Sequence, residues 1–290
     1  MSGFSPAWLA LREAADHRSR NEDLAETLKT RFLQREEIHV LDLGCGTGSN
    51  LRAMAALLPE VQNWTLVDRD PALLAAAKRQ LIEWATSHNE YEGTLALSHD
   101  RKAISVEFRQ ADLAHDLDAV LAFVPRLDLV TASALFDLVS PGFIQRVAAA
   151  VAKRRAVFYA VLTYNGIQRW APRTPNDQQM NGAFHRHQVT DKGFGVAAGP
   201  TAPVQLFEQF ETHGYSILEG DSPWRLGAGD SKLIRELAIG FAAAVRETKA
   251  LSDAEIDTWI ARKLTGAEVG HTDTLAIPGS GSGKMERDDD

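Results

Sequence analysis

At 290 residues the chain can hold one large domain or two small ones, and an apolar share of 44% excludes a wholly disordered protein. Its net charge of −8, without a basic stretch, argues against a partner as polyanionic as nucleic acid, while one cysteine, Cys45, allows neither an internal disulfide nor a CxxC zinc site. No apolar run approaches the roughly 18 residues of a membrane span. The opening stretch, with Trp8, Arg12, Glu13 and Asp16, lacks the make-up of a signal peptide, so a cytoplasmic protein is expected.

Residues 6–17 and 21–35 read as two helices, the second with Leu24, Leu28 and Phe32 on one face. Residues 1–36 are therefore expected to form a helical cap ahead of a main domain at 37–278. A short apolar strand at 38–43 runs into Gly44-Cys45-Gly46-Thr47-Gly48-Ser49-Asn50, and Leu51, Met54 and Leu58 then share a helical face. Glycines let the backbone approach a ligand that side chains would block, and the free N–H groups of the helix start face the same place. Residues 64–68 form a strand ending in Asp68, and Asp70-Pro71 opens a helix striped by Leu74, Ala77, Leu81 and Trp84. The stretch 86–103 is polar and reads as a loop, after which Ile104, Val106 and Phe108 alternate as in a strand near a sheet edge.

Residues 127–131 are the next strand, Pro141 opens a helix carrying Phe143, Val147 and Val151, and the wholly apolar 156–162 suits a strand deep in a parallel sheet. Periodicity then fails. Residues 164–200 mix aromatic, histidine, glycine and proline residues and read as a binding insertion or lid. Regularity returns with a helix at 204–212, a strand at 215–219, helices through Ile234 to Val245 and Ile256 to Leu264, and a last strand at 272–277. The glycine-serine and charged stretch 279–290 is expected to be a flexible tail.

Such alternation predicts an α/β, doubly wound, mostly parallel sheet with helices on both faces, whose ligands bind beyond the carboxyl ends of the strands. Three acids stand at those ends: Asp42, Asp68 and Asp112. Singly, each is as well explained as a helix cap. In order, after a glycine turn, they describe a nucleotide site: Asp68 suits ribose hydroxyls, Asp112 an adenine amino group with the Leu113 N–H on a ring nitrogen. The dinucleotide pattern GxGxxG fails at Ser49, and no phosphate loop is present.

The run Asp42-Leu43-Gly44-Cys45-Gly46-Thr47-Gly48 resembles the first motif of the class I S-adenosylmethionine-dependent methyltransferases. Leu66-Val67-Asp68 resembles their second motif, Gln110 to Leu113 the third, and Leu127 to Ser133 the fourth. The resemblance implies a Rossmann-like seven-stranded sheet with an antiparallel last strand, and S-adenosyl-L-methionine as cofactor. It further implies that Gly44, Cys45 and Gly46 pass under the methionine portion, with Asp42, Asn50, Thr131 and Ala132 near its ammonium group. Asp68 would hold the ribose, Arg69 pack on the adenine, and Asp112 with Leu113 read the adenine edge. Cys45 reads as a small turn residue rather than a reactive thiol.

Transfer of an activated methyl needs an acceptor held in line and, where required, a proton acceptor. Phe136 is expected as a wall beside the methyl and Asp137 as a polar contact, while Tyr164, Trp170 and Asn181 of the insertion are expected on the acceptor. His185 and His187 would share one face of an extended segment and are the candidate bases; without an evident third ligand they make no metal site. Among Arg12, Asp16, His17, Arg18 and Arg20, either a solvated charged face or a cap on the cofactor is expected, with Arg18 or Arg20 on its carboxylate. The expected function is methyl transfer to a small-molecule N or O nucleophile, in preference to C, with no nucleic-acid or membrane partner. Thr131-Ala132-Ser133-Ala134 differs from the Asn/Asp-Pro-Pro-aromatic pattern of amino-directed DNA enzymes. A protein acceptor, a non-catalytic cofactor binder and a nicotinamide-dependent oxidoreductase are the alternatives.

Overall fold

The computed structural model describes residues 4–279; the tail expected at 279–290 lies outside them except for Gly279. In chain order the elements are α1 (Pro6–Ser19), α2 (Glu22–Phe32), β1 (Glu37–Leu43), α3 (Ser49–Met54), β2 (Val61–Asp68), α4 (Pro71–Trp84), β3 (Ser87–Tyr91), β4 (Thr94–His99) and β5 (Lys102–Gln110). They continue with α5 (Leu113–Phe123), β6 (Leu129–Ser133), α6 (Pro141–Arg154), β7 (Val157–Ala171), α7 (Asp177–Gln188), α8 (Ala202–Thr212), β8 (Tyr215–Asp221), β9 (Trp224–Leu226), α9 (Ser231–Glu247), α10 (Asp253–Ile260) and β10 (Gly266–Pro278). Short polar side chains start many of the helices: Ser5, Asn21, Asp70, Asp112, Ser140 and Ser252 each accept an N–H of the first turn.

The sheet runs β3-β4-β5-β2-β1-β6-β7-β10-β8, with β9 also paired to β10. From β5 through β7 the pairing is parallel, while β10 lies antiparallel between β7 and β8. Strand order reverses beside β1, so the turn after β1 opens into the crevice that such a reversal creates. Alternation along β1 serves both faces: Leu41 and Leu43 join the core under α5, α6 and α8, and Ile38 and Val40 the core under α2, α3 and α4.

The α/β architecture and the antiparallel last strand agree with expectation; the strand number is ten rather than seven. The stretch 86–103, expected to be a loop, supplies β3 and β4, which extend the β5 edge as a meander through two-residue turns. Glu92 and Gly93 (φ 48° and 83°), then Asp100 and Arg101 (44° and 65°), hold the positive φ that such turns require. Only Leu95 and Leu97 of the hairpin are buried, on Trp84 and its neighbours, so its apolar signal is two residues long.

The larger departure is at the other edge. Residues 157–171 form one long strand paired with β10 well past the parallel sheet, so 164–171 are ribbon rather than insertion. Positive φ at Leu162 and Gly166, and register shifts in β10, interrupt the alternation that would have announced it. On this outer ribbon a third core forms from β9, α7, α9 and α10, with Trp170, Phe241 and Trp259 in mutual edge or tilted contact. Trp170, expected on the acceptor, is 2% exposed and belongs to that core. Among the described residues no helix is long and apolar enough to cross a membrane. Trp170→Ala should lower the unfolding free energy by about 3–5 kcal/mol in denaturant titration, the range for emptying a large aromatic site; a loss under ~1 kcal/mol would place it outside the packed core.

Candidate active site

Gly44, Gly46 and Gly48 all have left-handed φ (67°, 54° and 76°), and two of them also lie under close neighbours. A Cβ at Gly44 would come within 3.3 Å of the Leu135 side chain, and one at Gly46 within 3.0 Å of Leu9 Cδ1. The turn is therefore closed from one side by the segment after β6 and from another by α1. The Cys45 N–H donates to the Val67 carbonyl (2.9 Å), tying the turn to β2. Burial pushes the Cys45 thiol well above its ordinary range, so it is a small turn residue and not a nucleophile. The Asp68 carboxylate accepts from the N–H groups of Gly46 and Asp70, both at 3.0 Å, and each oxygen retains capacity for a further donor.

Beneath the turn runs a buried polar chain. Asn50 Nδ2 donates to Asp42 Oδ1 (2.9 Å) and to Thr131 Oγ1 (3.1 Å), whose hydroxyl donates to the Tyr159 carbonyl (2.8 Å). From the other side Arg20 Nη2 donates to Asn50 Oδ1 (2.9 Å). Asp42 is 0% exposed, and burial raises its pKa to about 7 against the opposing effects of Asn50 and Arg20. Asp42 Oδ2, Arg20 Nε and Arg20 Nη1 are buried without partners. Native proteins pair such atoms nearly always. An orphaned acceptor and orphaned guanidinium donors on either side of Asn50 are complementary to an ammonium–carboxylate pair, and the glycine cradle beside them admits close backbone approach. The chain thus fits an amino-acid-bearing nucleotide.

Several expected residues sit elsewhere. Arg18 pairs with Asp230 (2.7 Å) and is largely exposed, so Arg20, not Arg18, reaches the site. Phe136 is buried edge-on to Phe158 (ring centroids 5.3 Å apart) and faces the core instead of the crevice. His185 and His187 lie on helix α7, where an i,i+2 pair diverges, so they do not share a face. His187 contacts Glu247 (3.0 Å), whereas His185 Nε2 sits 3.1 Å from the Tyr164 hydroxyl and 3.0 Å from the Gly166 carbonyl. Asn181 Nδ2 donates to the Gln168 carbonyl (2.8 Å). Asp112 caps α5 through Ala114 N–H (3.1 Å), Leu113 and Ala132 are buried, and Arg69 is exposed above β2. Among the described residues no group of three or more His, Cys, Asp or Glu is arranged to hold a metal ion.

Asp137, in the short 3-10 turn after β6, is buried beside Tyr164 and within the field of Arg12. Burial raises its pKa to about 6, opposed by Arg12 and the Tyr164 N–H. The α1 helix that carries Arg12 is itself clamped on the turn. Glu13 pairs with Arg52 (2.7 Å), and His17 Nε2 lies 2.9 Å from the Ser49 hydroxyl. Nothing in the sequence marked Leu9 for this place, since its helical spacing is only that of a packing residue, whereas Arg12 belongs to the charged segment weighed as a cap.

Residues 41–157 match a family described as "Methyltransferase domain". Two solved structures share the fold. One is the cyclopropane synthase MmaA2 from Mycobacterium tuberculosis, 13% identical, with 94% of each chain covered and a TM-score of 0.50. The other is a cyclopropane-fatty-acyl-phospholipid synthase-like protein from Lactobacillus casei, 13% identical, with 92% of this chain and 99% of that one covered and a TM-score of 0.52. No curated protein matches the sequence.

The raised Asp42 pKa has a sign. Between its unfolded value near 4 and its folded value of about 7, the folded state holds the extra proton, so stability falls as pH rises through that window. Asp42→Asn should flatten this decline in thermal unfolding of the ligand-free protein between pH 4 and about 7; an unaltered pH slope would mean that Asp42 is ionised throughout.

Proposed function

Taking residues 41–157 as a class I S-adenosylmethionine-dependent methyltransferase domain, we propose that the chain transfers the cofactor's methyl group to a small-molecule N or O nucleophile in the cytoplasm. The observation that carries the acceptor side is the buried Asp137 carboxyl in the turn after β6, with a pKa of about 6, which accepts from the backbone N–H of Tyr164, the tyrosine whose hydroxyl meets His185. When bound, S-adenosyl-L-methionine supplies an electrophilic sulfonium methyl. The chain's own residues then bind, orient and exclude water.

In this reading Gly44 and Gly46 let the backbone run under the methionine portion. Asp42, oriented by Asn50, takes the ammonium group with Thr131 and Ala132 alongside, and Arg20 takes the carboxylate. Asp68 accepts the ribose hydroxyls, Arg69 lies against the adenine, and Asp112 with the Leu113 N–H reads its edge. Leu9 and Leu135 close over the turn and keep water from the reacting centre.

Asp137 is the proton acceptor for the incoming nucleophile, because a carboxylate with pKa about 6 is mostly ionised at pH 7 yet more basic than an ordinary one. Tyr164 and His185 orient the acceptor against it. Burial raises Asp137, and its own backbone N–H, Arg12 and the Tyr164 N–H keep it from rising further. The acidic surface, net −8, disfavours a nucleic-acid acceptor.

Incubation of the full chain with methyl-labelled cofactor and a fractionated cell extract should put label in the small-molecule fraction. Label only in protein or nucleic acid would overturn the proposal. With the labelled acceptor as substrate, kcat should rise with pH through about 6 as Asp137 ionises. Asp137→Asn should cost about 10²–10⁴-fold in kcat while S-adenosylhomocysteine affinity in calorimetry is retained. Full activity in that variant would remove Asp137 from the proton transfer.

A further inference from the structure

A cleft of about 680 Å³ opens between the outer end of β7 and helix α7, lined among others by Gln168, Trp170, Arg173, Asn181 and His185. Its polar groups are unusual in being unsatisfied. Gln168 is 6% and Trp170 2% exposed, and Gln168 Nε2 and Trp170 Nε1 are buried donors without acceptors. Asn181 donates to the Gln168 carbonyl and so is held in place, but its Oδ1 is a buried acceptor without a donor. Three orphaned polar atoms on one cleft wall are what a missing polar partner would leave, because each is costly to bury alone.

The charges around the cleft select the sign of that partner. Arg169 is paired with Glu268 (2.7 Å) and Asp177 with Arg262 (2.6 Å), so these four cancel. Among the described residues Arg173 has no carboxylate partner and stands as one uncompensated cation at the mouth. Two neutral donors and a guanidinium match a carboxylate, and the Asn181 Oδ1 matches an N–H or O–H on the same molecule.

Position ties the cleft to the chemistry. His185 lines it, the same imidazole reaches the Tyr164 hydroxyl, and the backbone N–H of that tyrosine donates to the Asp137 carboxylate. The cleft is thus separated from the candidate base by one tyrosine–histidine pair. We propose that this cleft is the anchoring subsite for the methyl acceptor, and that the acceptor is a small amino or hydroxy carboxylic acid. This assignment rests on the small-molecule methyltransferase reading above. The carboxylate is held by Gln168, Trp170 and Arg173, away from the methylated atom, and the nucleophile points past His185 and Tyr164 towards Asp137. The carboxylate itself is not methylated, so the product keeps it.

Two experiments on the full chain, the first with S-adenosylhomocysteine bound and the second without it, test the cleft and its role separately. In the first, mandelate is titrated while the indole N–H resonance of Trp170, assigned by its loss in Trp170→Phe, is followed by NMR. Mandelate should shift this resonance saturably, its neutral amide and 2-phenylethylamine should bind at least tenfold more weakly, and Arg173→Ala should weaken mandelate at least tenfold. Absence of a shift, or equal binding of the amine, would overturn the carboxylate site. In the second, label transferred from methyl-labelled cofactor to an extract should be retained on an anion exchanger at about pH 11, where amino groups are uncharged, and should lose that retention on esterification of carboxyl groups. Arg173→Ala should raise KM at least tenfold with S-adenosylhomocysteine affinity unchanged. Label in a product without a carboxylate, or an indifferent Arg173→Ala, would overturn the anchoring role while leaving methyl transfer to small molecules intact. No small-molecule label at all would defeat that underlying reading and with it the anchoring role, and the mandelate titration would still decide whether the cleft binds carboxylates.

Discussion

A fully buried carboxylate with only one of its oxygens bonded is expensive, and Asp42 is in that position at the end of β1. The structure answers it with a chain of fixed dipoles and one cation: Asn50 from the first helix after the turn, Thr131 from β6, and Arg20 from the link between α1 and α2. Each member comes from a different element, so the glycine turn, the neighbouring strand and the N-terminal cap are held in one arrangement by a single interaction network. What the network leaves open, one carboxylate oxygen and part of a guanidinium, is complementary to a zwitterion.

The cap follows from the same economy of contacts. Helix α1 packs Trp8, Leu11 and Ala15 on the third core, and is held to the turn by polar contacts, Glu13 with Arg52 and His17 with Ser49, with Leu9 set over Gly46. Polar docking of this kind is weaker and more reversible than an apolar interface. It suits a cover that has to admit a cofactor and then exclude water.

At the opposite edge, the β7–β10 ribbon outgrows the sheet and needs cover for a face that no parallel strand reaches. The aromatic core of Trp170, Phe241, Trp259 and Phe184 supplies it. Folding this part around the ribbon brings α7 alongside β7, and with it His185 to Tyr164 and the cleft wall to Gln168. The proposed acceptor side is therefore built from strand and helix, not from a loop, which holds its groups in fixed positions.

The cofactor side was readable in the chain because its determinants are local. Gly44, Gly46, Gly48 and Asp42 fall within one strand–turn–helix, and Asp68 and Asp112 each close a strand of ordinary apolar pattern, so period and spacing alone located them. The same pattern announced the parallel strands, and the family resemblance implied the antiparallel last one. The hairpin at 87–99 was hidden because only Leu95 and Leu97 are buried, and the outer half of β7 because Gly166 and the bulges of β10 disturb the period of two. Side-chain direction was beyond reach for a different reason. Whether Phe136 faces the core or the crevice, whether Arg18 or Arg20 turns inward, and which histidine of α7 meets Tyr164 depend on the packing of elements that are not neighbours in the chain, 212 residues apart for Arg18 and Asp230. The sequence by itself determined the nucleotide turn, its acids and the α/β order, since these are properties of short segments. Tertiary structure alone decided the acceptor side, since burial, pairing and the orphaned atoms of the cleft arise only when distant segments meet.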